Sequence, residues 1–152
     1  MHWKKLGVTA LTAFIIACCA AFGLRAAHQA RFPAPPQNEQ LPDAVVVFCF
    51  HGAKRSAGDR KIEEYSYGVL ARWFGKQLRD GDIVWRVLDY ESPENVHFRK
   101  CYQVSDSCIV LVDARPDRPG VAKNLQQSVN KLASDKGQFQ TYLRDEIKNF
   151  LK

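Results

Sequence analysis

Along this chain the apolar positions change from continuous runs to three- and four-residue steps, and each change predicts an element. Ala44 to Phe50 (AVVVFCF) is a β-branched and aromatic run of strand length, the pattern of a central strand covered on both faces. After it, Ile62, Tyr65, Ser66, Val69, Leu70, Trp73, Phe74 and Leu78 recur at helical spacing, with Asp59 as the cap and Gly81 as the stop. Ile83 to Tyr90 (IVWRVLDY) is the next strand. A long helix separates the two, so they are expected to lie parallel through a right-handed crossover. Ser92-Pro93-Glu94-Asn95 supplies an N-cap and a proline at the first helical position of a short helix to about Tyr102, with Val96, Phe98 and Cys101 as apolar contacts. Cys108 to Asp113 (CIVLVD) is a third strand, followed by a turn over Arg115 to Gly120 and a short edge strand over Val121 to Lys123. Asn124 to Ala133 and Asp135 to Leu151 read as helices, the last carrying Phe139, Tyr142, Leu143, Ile147, Phe150 and Leu151 on one stripe. The order predicts an α/β domain over residues 44–152, with helices on both faces of a small mixed β-sheet.

Residues 1–31 follow a different pattern. A basic lead, MHWKK, precedes the uncharged stretch Leu6 to Leu24, long enough for a membrane-spanning hydrophobic helix. Three readings compete: an uncleaved membrane anchor, a lipoprotein, and a cleaved signal segment that releases the protein. The lipoprotein reading rests on Ile15-Ile16-Ala17-Cys18, which resembles a bacterial lipobox and makes Cys18 the candidate lipidation site. Lys4 and Lys5 before the stretch nearly balance Arg25 and Arg31 after it, so charge barely orients it. All three readings place the domain outside the cytoplasm, in the periplasm or cell envelope. Residues 32–43 hold four prolines and read as an extended linker that reaches up to about 37 Å.

Composition supports a folded body: 46% of residues are hydrophobic and 25% charged, and 152 residues leave room for one domain plus an appendage. The net charge is +6, of which residues 44–152 carry +4. Bases alternate with acids and no Lys/Arg run exceeds two, which argues against a nucleic-acid partner. The five cysteines form no Cys-x-x-Cys, so zinc-ribbon and dithiol signatures are both missing. No G-x-G-x-x-G fingerprint is present, and no cofactor is expected.

The stretch Val45 to Ile62 (VVVFCFHGAKRSAGDRKI) reads as strand, tight loop and helix start, and this layout resembles the active-site region of thioredoxin-like domains. Phe50-His51-Gly52, Lys54-Arg55, Lys61-Ile62-Glu63 and Pro93-Glu94-Asn95 with His97-Phe98 are similar to the motif blocks of one thioredoxin-like family, the nitrophenyl compound nitroreductase subunits of the ArsF type. The resemblance implies a thioredoxin-like fold over residues 44–152. It also implies a Cys-x-x-Cys at the first turn of the first helix, where the helix N-terminus would stabilise a thiolate. This chain has Ser56 and Asp59 at those two positions. A hydroxyl and a carboxylate cannot perform thiol–disulfide exchange, so the family's dithiol chemistry is not carried over. Before the third strand, where many thioredoxins have a proline, the chain reads Ser105-Asp106-Ser107.

Other constellations have plainer readings beside them. Cys49 and His51 share a strand face and are either a thiolate–imidazole pair or a core cysteine beside a loop histidine. A metal set of Cys49, His51 and His97 lacks ligand spacing, and no metal is expected. Cys101 and Cys108, seven apart, are a candidate disulfide, two separately packed thiols, or a displaced redox pair. Lys54, Arg55, Arg60 and Lys61 flank the loop and suit an acidic partner or an anion, while Asp59, Glu63 and Glu64 largely offset them. A solvated surface is the plainer reading there, and His51, Lys54 and Arg55 are the candidate binding residues. Trp73 and Trp85 are expected in the core.

The expected function is that of a membrane-tethered, extracytoplasmic binding or accessory subunit without dithiol activity, acting on an unknown protein partner. The alternative is a thiol–disulfide oxidoreductase that uses Cys49 or the Cys101/Cys108 pair.

Overall fold

β1 (Val45–His51) is the centre of the domain: six of its seven residues are buried, as its unbroken apolar run requires. The computed structural model describes residues 41–118 and 120–152. The apolar stretch at Leu6 to Leu24, Cys18 and most of the proline-rich linker lie outside them. Among the described residues no helix is long and apolar enough to cross a membrane.

The sheet has four strands in the order β2-β1-β3-β4, where β2 is Ile83–Asp89, β3 is Cys108–Asp113 and β4 is Val121–Asn124. β1 and β2 are parallel, with Val47 opposite Trp85 and His51 opposite Asp89. β3 runs antiparallel to both β1 and β4, so the sheet is mixed, as its strand and helix order predicts.

Helices cover both faces. Phe48 and Phe50 point to one face and meet Phe98 of α3 (Val96–Cys101), with ring centroids 5.1 and 6.1 Å away, and Tyr102 packs on Phe48 at 5.9 Å. Val47, Cys49 and Trp85 point to the other face by strand alternation. That face is covered by α1 (Ala57–Trp73), and α1 packs on α5 (Lys136–Phe150) through Tyr65 edge-on to Phe139 at 5.7 Å. Phe48, Phe50, Phe98, Phe139, Leu143 and Ile147 are all essentially inaccessible. Burying each such side chain contributes about 1.5–3 kcal/mol, so the two aromatic clusters hold the layers together.

Several expected details are corrected. The helix stripe running to Leu78 is two helices, α1 and α2 (Gly75–Asp80), divided at Phe74 with φ −127° and ψ 21°. Phe74 turns into the core, and Gly75 behind it has too little helix propensity to bridge the break. Gly81 ends α2 in the left-handed conformation (φ 83°), a state that residues with a Cβ avoid. The N-cap of α1 is Ser56, with Asp59 three residues inside. Ser92 makes no side-chain cap bond, and Pro93–Asn95 is a 3-10 turn leading into α3. Val96 is exposed rather than an apolar contact. α4 is Gln126–Leu132, because Asn124 belongs to β4; its side chain donates to the Tyr102 carbonyl at 2.8 Å and accepts from the Gln126 N–H at 2.8 Å. Trp73 and Trp85 are half-buried against the core rather than inside it.

Candidate functional site

The site lies where β1 ends and α1 begins. Parallel pairing carries the end of β2 to the same place: the Tyr90 N–H donates to the His51 carbonyl at 3.0 Å. One residue on, Glu91 Oε2 accepts the Ala53 N–H at 2.8 Å, so the loop after β1 is pinned to the loop after β2. Gly52 sits beneath these loops, its Cβ direction about 3.4 Å from Glu91 Oε2 and 3.5 Å from the Tyr90 hydroxyl. Burial pushes the Tyr90 phenol up, and the neighbouring carboxylates of Glu91 and Asp106 add to the shift.

Within the loop, Arg55 links His51 to Glu63. Its Nη1 donates to Glu63 Oε2 at 2.7 Å and its Nη2 lies 2.8 Å from His51 Nε2. A guanidinium only donates, so Nε2 is the acceptor and the imidazole proton resides on Nδ1, which donates to the Gly52 carbonyl at 2.8 Å. Arg55 thereby assigns the neutral tautomer of His51.

The start of α1 is closed by a reciprocal capping box. The Asp59 N–H donates to Ser56 Oγ at 3.1 Å, and the Ser56 N–H donates to Asp59 Oδ2 at 2.7 Å. Burial raises the Asp59 carboxyl, but hydrogen bonds from the Ser56 N–H, from the Ser107 hydroxyl and from the Ser56 hydroxyl outweigh it and hold the group below the usual carboxylate range. The Ser107 bond brings Ser105-Asp106-Ser107, the loop before β3, against the start of α1. No peptide bond among the described residues is cis.

The sulfurs are elsewhere. Cys49 and Cys108 are free and buried, with 1% and 0% exposure, and Cys101 is half-buried at the end of α3. Because Cys108 is free, the Cys101–Cys108 disulfide is not formed in this structure. Burial, helped by the charge of Glu63 and opposed by that of Arg55, pushes the Cys49 thiol up to about 12. Burial likewise raises the Cys108 thiol, helped by Cys49 and Asp106. Neither is a nucleophile near neutral pH. The set Cys49, His51 and His97 is not assembled: among the described residues no group of three His, Cys, Asp or Glu side chains is placed to hold a metal ion. His97 instead lies against the neighbouring Phe98, the rings tilted by 39° with centroids 4.1 Å apart.

The structure thus brings His51, Arg55, Ser56 and Asp59 into one constellation with Lys54 on its exposed rim. Glu63, Tyr90, Glu91 and Ser107 complete it and were not singled out as site residues by sequence. Glu91 was findable, since parallel register puts the residues after Asp89 beside those after His51; Ser107 needed the third strand's placement. The arrangement can donate and accept hydrogen bonds and present charge, but it holds no accessible thiol. No protein-family model, curated protein or solved structure matches the chain.

Proposed function

We propose that this protein is a thioredoxin-like binding or accessory subunit, tethered to a membrane outside the cytoplasm, whose site has exchanged dithiol chemistry for a rigid helix cap. The reading is carried by the Ser56–Asp59 capping box at the first turn of α1. Its reciprocal hydrogen bonds occupy the positions at which the motif resemblance implies two cysteines. The strand order β2-β1-β3-β4, with a parallel βαβ half and an antiparallel second half, supports the thioredoxin-like reading. So does a site built at the end of β1 from the loops after β1, after β2 and before β3. The tether is supported by the apolar stretch at Leu6 to Leu24 and the proline-rich linker. An oxidoreductase working through Cys49 or Cys108 is disfavoured by burial and by thiols held above their ordinary values.

The test is insulin-disulfide reduction with dithiothreitol as electron donor, run on the full chain and on its Ser56→Cys/Asp59→Cys variant. The wild type is expected to add nothing to the uncatalysed rate. Wild-type turnover that disappears after cysteine alkylation refutes the loss of dithiol function.

A further inference from the structure

Beside the site is an open groove of about 510 Å3 whose lining includes Arg55, Arg60, Glu63, Glu64, Tyr67 and Trp85. Its floor is aromatic: the Tyr67 ring is 6.3 Å from that of Trp85, and Tyr67 is 53% exposed, unusual for a large apolar ring with nothing over it. Its acids are engaged. Glu63 binds Arg55 at 2.7 Å, and Glu64 binds Lys136 of α5 at 3.1 Å. Arg60 has no carboxylate partner among the described residues; its Nη1 contacts only the Arg55 carbonyl, at 3.4 Å. The nearby acids that nearly cancel the bases in the sequence therefore leave Arg60 as a cation without an acidic partner in the same groove lining as the aromatic rings.

The groove runs alongside β2, which has a hydrogen-bonded neighbour on one side only among the described residues. Alternate residues of this seven-residue edge strand present backbone N–H and C=O groups that an added strand would satisfy. Trp85 lines the groove and Val87 shares its sheet face, whereas Arg86 projects to the opposite face, its guanidinium 5.7 Å from the Phe48 ring. On the groove face Arg60 supplies a cation near the edge, which repels a basic strand as it attracts an acidic one.

We infer that the β2 edge and the Tyr67/Trp85 groove form a docking surface for an acidic, extended peptide segment, which adds as a fifth strand. The segment places an apolar or aromatic side chain on Tyr67 and Trp85 and a carboxylate at Arg60. This deepens the binding-subunit reading, on which it rests, by naming the chemistry of the partner.

The probe is a fluorescein-labelled peptide, Thr-Glu-Thr-Phe-Thr-Glu-Thr, which as a strand carries both Glu and the Phe on one face, followed by anisotropy with the full chain. A version with both Glu replaced by Lys and a version with the two Thr flanking Phe replaced by Pro serve as controls. The acidic peptide is expected to bind roughly tenfold or more tighter than either control. Arg60→Glu and Tyr67→Ala, both at exposed positions, are each expected to weaken it about tenfold while melting with the wild type. Equal binding of acidic and basic peptides overturns the inference, as does wild-type affinity in both variants. Full binding of the proline version overturns strand addition, and heparin binding with the same dependence on Arg60 and Tyr67 shows a general polyanion surface instead. Failure here leaves the insulin result standing, and insulin turnover would sink the accessory reading without altering these affinities.

Discussion

Removing either half of the capping box tests the proposed replacement of dithiol chemistry by a structural lock. Ser56→Ala deletes the acceptor for the Asp59 N–H, a loss of about 1 kcal/mol for a helix cap. Asp59→Ala deletes the acceptor for the Ser56 N–H and for the Ser107 hydroxyl, together with a negative charge in the first turn of α1, for a loss of about 1–2 kcal/mol. The two bonds close one ring, so the double variant should lose less than the sum, with a coupling of roughly 0.5 kcal/mol or more. Thermal unfolding followed by circular dichroism reads these as drops of about 4 °C per kcal/mol in a domain of this size. The Asp59 contribution also has a defined pH dependence. Its folded pKa is depressed, so the stabilisation is complete above the unfolded carboxyl value of about 3.9 and is lost as the pH falls through the lower folded value. The gap between wild type and Asp59→Ala should close in acid. Single variants that melt with the wild type, or a gap unchanged between roughly pH 6 and pH 2, refute the lock.

At the opposite end of the sheet, Asp113 is wholly buried and receives Arg115 through Nε at 2.8 Å and Nη2 at 2.6 Å, with Arg118 at 3.6 Å. Asp113→Asn should destabilise by about 1.5 kcal/mol, since it weakens the charge-assisted hydrogen bonds from Arg115 while both arginines keep contact with solvent; a melting point within a degree or two of wild type contradicts this. Burial raises the Asp113 carboxyl but the two arginines outweigh it, so its contribution too is present above the unfolded carboxyl value and lost in acid. Native Cys49 and Cys108 should resist iodoacetamide at neutral pH and react at once in denaturant; mass-mapped labelling of either in the folded chain would revive the oxidoreductase alternative.

Much of the fold was legible because long apolar runs and helical stripes report burial directly. Cys108 to Asp113 and the short edge strand after Gly120 fall where the pattern puts them, and β1 and β2 pair in parallel because a helix lies between them. The divided helix at Phe74 was hidden, since Phe74 and Leu78 continue the stripe whether or not the backbone breaks. Within the site, Ser56 and Asp59 were legible as residues, but their roles as N-cap and third residue depend on a single position of register that the pattern Ser-Ala-Gly-Asp leaves open.

By itself the sequence determined that residues 44–152 form a mixed α/β domain, that no Cys-x-x-Cys stands at the first helix, and that an uncharged stretch precedes a proline-rich linker. These are properties of residue type and spacing along one dimension. Only the tertiary structure decided which charges cancel. Glu64 pairs with Lys136, seventy-two residues away, and Glu63 with Arg55, which leaves Arg60 without an acidic partner among the described residues, in the groove lined by Tyr67 and Trp85. It also decided that Ser107 bonds Asp59 and that Cys49 and Cys108 lie too deep to ionise. Electrostatic and hydrogen-bond partners are set by distances across the fold, and linear spacing does not contain them.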